Sequence, residues 1–114
     1  MYTERVMMNE TARNRIETFR LRIDRISAFC RKYHVRRFAL FGSVLREDFR
    51  PESDVDVLVE FEPGRVPGFI GLGSMSANLS EIFDGHPADL RTPEDLSPYF
   101  REEVLAGAET LYGK

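Results

Sequence analysis

Cysteine is nearly absent from this chain of 114 residues: Cys30 stands alone. A lone thiol excludes an intramolecular disulfide and a cysteine-ligated metal cluster, and it fits a reducing compartment. Histidine is scarce too. His34 and His86 lie far apart with no ligand spacing, which argues against zinc. An excess of one charge is also missing: 16 basic residues face 19 acidic ones, for a formal net charge of −3. That balance argues against a chain that coats nucleic acid, and stable DNA binding is not expected. No stretch has the apolar length of a membrane span or the pattern of a signal peptide, so a cytoplasmic location is expected. The length suits one domain over 1–114, large enough to bury a core without staples.

What is present is organised around residues 41–61, FGSVLREDFRPESDVDVLVEF. Its second half alternates acids with apolar residues. Side chains on a strand alternate faces, so Asp54 and Asp56 point one way and Val55, Val57, Val59 and Phe61 the other. Neighbouring carboxylates repel one another unless a cation joins them. A hard, oxygen-seeking divalent ion such as Mg2+ suits them; a solvated strand edge with two acids is the plainer alternative. The first half opens on Gly42-Ser43, behind an apolar strand over Val35–Phe41. Gly42 permits a tight turn and a close backbone approach. Ser43 is placed to cap a helix through Val44, Leu45 and Arg46, and free N–H groups at such a start suit phosphate oxygens. Arg46, about one turn further on, either contacts phosphate or braces Asp54 or Asp56.

Periodicity predicts the other elements. Ile16, Phe19, Ile23, Ile26, Cys30 and Tyr33 recur at three- and four-residue steps, predicting one amphipathic helix over about 11–33. Asn9 or Thr11 would cap it, or Thr3 an earlier start. This part of the chain is basic: Arg13, Arg15, Arg20, Arg22, Arg25, Arg31, Lys32, Arg36 and Arg37 stand against Glu17 and Asp24. It reads as a solvated helix face or as a docking surface for an acidic partner, RNA or a nucleotide tail. Residues 62–73, punctuated by glycine and proline, predict a loop. A helix over 72–83 would bury Leu72, Met75, Leu79, Ile82 and Phe83, and Gly85 suits a left-handed cap. Gly73-Ser74 has no acid pair behind it and is a decoy. A short strand over 86–91 carries Asp89 between Ala88 and Leu90. An acid there is costly to bury unpaired. Beside Asp54 and Asp56 it would deepen the negative well and accept a proton from an attacking hydroxyl; an edge-strand acid facing water is the alternative. His86 is expected to be structural. Thr92-Pro93-Glu94-Asp95 and Ser97-Pro98 are helix-start signals, and a last helix is predicted over 98–111.

Gly42-Ser43, ten intervening residues and Asp54-x-Asp56, with Asp89 following in ADLRTPEDLSP, resembles the signature of the polymerase-beta-like nucleotidyltransferase superfamily. The chain is similar to its minimal nucleotidyltransferase branch, known as antitoxins paired with HEPN-domain toxins, and the similarity covers about 35–111. The resemblance implies a small α/β (α+β) nucleotidyltransferase fold, a short mixed sheet flanked by helices. It implies that Gly42 and Ser43 hold the triphosphate of ATP, with Arg46 beside them. Asp54 and Asp56 would carry Mg2+, two ions in the active complex. Asp89 would complete the acidic triad, as metal ligand and as helper in deprotonating the acceptor. The implied reaction moves AMP from ATP to a tyrosine of a HEPN toxin and silences its RNase activity. The alternatives are an antitoxin that acts by tight binding alone, and transfer to a small molecule or an RNA end. Homo- or hetero-oligomers are compatible with either. The lack of a second, acceptor-selecting domain points to a macromolecular partner that supplies part of the acceptor site. The chain departs from many relatives after Arg46, where Glu47-Asp48 stands in place of a glycine.

Overall fold

The computed structural model describes residues 9–113. Its centre is the alternating segment after Asp54. β1 (Val35–Phe41) and β2 (Val55–Phe61) pair antiparallel, as segments close in sequence commonly do. Strand β3 (Ala88–Arg91) runs parallel to β2. Parallel neighbours need a crossover, and α3 (Phe69–Ile82) lies in it. β4 (Glu109–Tyr112) closes the opposite edge against β1, so the strand order is β3-β2-β1-β4. A mixed sheet with helices was expected and is what forms.

The two faces of β2 have different neighbours, as its alternation predicts. Val55, Val57 and Val59 enter one apolar cluster with Phe38 and Leu40 of β1. The same cluster takes in Ile16 and Phe19 of α1 (Glu10–Arg20), Ile26 and Phe29 of α2 (Ile23–Tyr33) and Met75 and Leu79 of α3. Leu58, on the other face, packs with Ala39 and Ala108, and Phe41, Leu96 and Leu105 lean on them. Leu105 belongs to α4 (Arg101–Gly107). The acids of β2 therefore share a face with a small second core and lie away from the large one.

The single helix expected over 11–33 is two helices, broken at Leu21 and Arg22. One unbroken helix would bury Ile23, which is instead 39% exposed, while Leu21 is 86% exposed. The break has a tertiary cause. Arg22 reaches α3, donating to the Ile82 carbonyl at 2.5 Å and pairing with Asp84 at 2.9 Å. Asn9 caps α1, accepting from the Ala12 amide; Thr3 lies outside the described residues. Other basic side chains of this stretch are likewise tied into the fold. Arg20 pairs with Glu109 of β4, and Arg36 and Arg37 pair with Glu60.

The helix predicted over 98–111 also fails. It ends at Gly107, Ala108 turns extended, and residues 109–112 form β4. Gly107 is a stop signal rather than a weak point in a longer helix. The loop after β2 ends earlier than expected, since α3 begins at Phe69, and Leu72 stays 37% exposed. Past α3, Asp84 and Gly85 both take left-handed backbone, and the Gly85 amide returns to the Ser80 carbonyl at 2.8 Å. Among the described residues no helix is long and apolar enough to cross a membrane.

Cys30 is buried, as its place on the apolar stripe predicts. Desolvation pushes its thiol up to about 12, against the weaker pull of Arg31. The native chain should therefore react with a thiol reagent at neutral pH more than about a hundredfold slower than the unfolded chain. A colorimetric thiol titration with and without denaturant measures this; equal rates would show Cys30 to be accessible.

Candidate active site

The site begins where β1 ends. Phe41 is extended, Gly42 takes φ +76°, and residues Gly42–Leu45 form one turn of 3-10 helix closed by the Arg46 amide on the Ser43 carbonyl at 2.9 Å. The helix expected through Val44, Leu45 and Arg46 goes no further, because Arg46 is already extended. Ser43 sits inside the turn and Phe41 occupies the cap position. So short a turn has little macrodipole, which removes that part of the argument for phosphate. What remains is a close glycine approach. A Cβ placed on Gly42 would overlap Oδ2 of Asp56 and lie 3.1 Å from its Cγ. The turn rests directly on the acid.

Strand register gathers the acids. Asp56 lies opposite Phe41 on β1 and opposite Asp89 on β3. Asp54 lies two residues upstream, just ahead of β2. Facing positions on adjacent strands bring side chains within reach of each other. The electrostatics agree: burial raises the Asp56 carboxyl above its ordinary value of 3.8, and the charges of Asp89 and then Asp54 raise it further. Arg91 and Arg46 pull it back down. Asp89 is held by Arg91 of its own strand, at 3.3 Å from Nε and 3.4 Å from Nη2. Arg46 braces neither Asp54 nor Asp56 by an ion pair; its Nε lies 3.2 Å from Asp48.

Two supporting residues escaped the sequence reading. Arg91 stands two positions after Asp89, so strand alternation alone puts it on the acid's face; that signal was available. Arg15 carries no such signal. From α1 it donates to the Val44 carbonyl at 2.6 Å and to the Arg46 carbonyl at 3.1 Å. Its guanidinium also lies 4.5 Å from the centre of the Phe49 ring. His86 is structural, as expected. Its ring packs on Phe49, and Nδ1 lies 2.9 Å from the Ser53 carbonyl, which accepts.

Among the described residues no three acid, histidine or cysteine side chains form a ready metal cage. Mg2+ is commonly held by one or two carboxylates together with substrate phosphates rather than by an all-protein cage. The half-buried Asp56, raised by burial and then by its like-charged neighbours, fits such an ion. Asp54 and Asp56 would hold it, with Asp89 opposite Asp56 as the third carboxylate.

Comparison with known proteins bears on the family and the fold. The nucleotidyltransferase domain family matches residues 23–109. MJ1379 of Methanocaldococcus jannaschii, named as a candidate protein adenylyltransferase, is 35% identical over 74 residues, which are 64% of this chain and 73% of that one. MJ0435 of the same organism, named likewise, is 31% identical over 65% of this chain and 76% of its own length. A solved structure named as a candidate minimal nucleotidyltransferase superposes with a TM-score of 0.65 at 34% identity, over 81% of this chain and 91% of that one. A toxin–antitoxin structure with AMP-PNP shares the fold, with a TM-score of 0.63 at 20% identity over 81% of this chain and 73% of that one. With the glycine turn seated on an acid that faces a second acid across β2 and β3, these likenesses identify the chain as a member of the nucleotidyltransferase domain family, a nucleotidyltransferase of the minimal kind.

Proposed function

We propose that this chain is a Mg2+-dependent protein adenylyltransferase that serves as the antitoxin of a HEPN-domain toxin, moving AMP from ATP to a tyrosine of that partner in the cytoplasm. The observation that carries the reading is the pairing of Asp56 with Asp89 beneath the Gly42 turn. Similarity supports the rest. The relatives are named as candidate protein adenylyltransferases. One structural neighbour is a Shewanella oneidensis MNT antitoxin in complex with a tri-AMPylated HEPN toxin.

In the proposed reaction the tyrosine oxygen attacks the α-phosphorus of ATP. The new O–P bond forms as the bond from the α-phosphorus to the bridging oxygen breaks, and pyrophosphate leaves. Bound Mg2+ would supply charge neutralisation at the phosphoryl oxygens. Gly42 and Ser43 line the triphosphate side. Asp89, on the edge strand opposite Asp56, is the acid that takes the phenolic proton, the role the family resemblance implies for it. A tyrosine hydroxyl titrates near ~10, so this help matters at neutral pH. Arg46 is free to swing from the exposed Asp48 toward phosphate.

A second reading rests on a separate observation. Val66, Phe69 and Ile70 at the start of α3 are 71%, 93% and 85% exposed, an apolar ledge that suits binding without catalysis. One experiment separates the two. The purified chain is mixed with labelled ATP, Mg2+ and the HEPN-domain product of the neighbouring gene. Label on the partner, lost in the Asp54→Ala, Asp56→Ala double variant, is the expected result. A complex that forms and neutralises without label, in parent and variant alike, would establish binding alone.

A further inference from the structure

The family match begins at residue 23, so α1 stands ahead of it. Yet α1 grips the candidate site. We propose that Arg15 of α1 is a positioning residue that holds the glycine turn and the acidic strand in register for nucleotide binding. This deepens the adenylyltransferase reading and rests on it.

The contacts run to both halves of the site. On one side, Nη1 of Arg15 donates to the carbonyls of Val44 and Arg46, at 2.6 and 3.1 Å, which fixes the end of the Gly42–Leu45 turn. On the other, the guanidinium carbon lies over the Phe49 ring, 4.5 Å from its centre. Phe49 packs on His86 at 4.8 Å between ring centres, and His86 holds the Ser53 carbonyl, one residue before Asp54. The link between turn and acidic strand is otherwise a charged connection stabilised by local bonds, such as Ser53 to Arg50. A second tie leads back to α1, where Asn9 Nδ2 donates to Glu47 at 3.0 Å.

The chemistry suits a guanidinium. Nη1 of Arg15 meets two carbonyls while the guanidinium carbon lies over the Phe49 ring, 4.5 Å from its centre, and a guanidinium, more weakly hydrated than an ammonium, suits a part-buried contact of this kind. The grip also falls where Glu47-Asp48 follows Arg46. Free carbonyls at the end of a short helical turn need a donor, and Arg15 is the donor here.

Arg15→Met keeps bulk and removes both bonds; Arg15→Lys keeps the charge and restores at most part of the contact. In the Met variant, the amides of Arg46 and Ser53 should exchange with deuterium about tenfold faster, while those in the middle of β1 and β2 stay protected. The KM for ATP should rise about tenfold, with Lys intermediate, since bonds from a charged donor contribute on this scale. A merely structural role would lower the folded fraction, and so the apparent kcat, without moving KM. Unchanged exchange at Arg46 and Ser53 in Arg15→Met would overturn the proposal, as would an unchanged KM in an active variant. If the parent chain transfers no AMP, the adenylyltransferase reading fails by itself, and the exchange measurement still decides the role of Arg15.

Discussion

Asp56→Asn should abolish AMP transfer, by more than about a thousandfold in kcat/KM, while leaving the chain at least as stable as the parent. The loss follows from charge. Removing a carboxylate from the position that faces Asp89 weakens the hold on a cation whose help amounts to several kcal/mol, and each ~1.4 kcal/mol is tenfold in rate. The gain follows from the same charge. Asp56 is raised above its ordinary 3.8 first by burial, then by Asp89 and Asp54, so its ionised form opposes folding. A carboxyl whose folded value is raised binds more protons folded than unfolded. Its effect on stability is therefore absent below the ordinary value and grows more unfavourable as pH rises to the raised one. The melting temperature of Asp56→Asn should accordingly match the parent in acid and exceed it at neutral pH, when both are measured without metal. A variant that is less stable at neutral pH would show that Asp56 is held by partners that favour its charge.

Gly42→Ala should lower kcat/KM about a hundredfold and also destabilise the chain. The backbone there takes φ +76°, which costs a residue with a Cβ about 1–2 kcal/mol. The new Cβ would also overlap the Asp56 carboxylate, so the acid must leave its place. A displacement of about 1 Å in a reacting group is enough for a loss of this size. Gly85→Ala is the control. It has the same kind of backbone, φ +89°, but nothing within 4 Å of an added Cβ. It should cost stability and leave kcat/KM unchanged. Denaturant unfolding and steady-state transfer rates on the two variants separate strain from the collision.

The likeness to nucleotidyltransferases was legible because its residues are local. The Gly42-Ser43 dipeptide and the alternation of Asp54 and Asp56 with valines lie within one short segment, and period-two alternation assigns faces without knowledge of any neighbour. Asp89 was legible for a different reason: an acid between apolar residues in a short strand is anomalous unless something pairs with it. Other features were read wrongly because their cause lies elsewhere in the chain. The stripe from Ile16 to Tyr33 is continuous in sequence, yet Arg22 reaches across to α3 and the helix breaks there. Glu109, Thr110 and Leu111 extend a helical pattern on paper, yet the open edge of β1 takes them as a strand. Ser43 looks like a helix cap, yet Gly42–Leu45 make only one 3-10 turn, and the Val44 and Arg46 carbonyls at its end are taken by Arg15 of α1.

By itself the sequence determined which face of β2 each side chain would occupy and offered Gly42, Ser43, Asp54, Asp56 and Asp89 as candidates for the chemistry, since alternation and glycine's freedom belong to the residues concerned. Only the tertiary structure decided that Asp89 stands opposite Asp56, that the glycine turn rests on that acid, and that Arg15 holds the turn and, through Phe49 and His86, the approach to the acidic strand. Those depend on hydrogen bonds between segments far apart in the chain, and no local pattern encodes the register in which such segments meet.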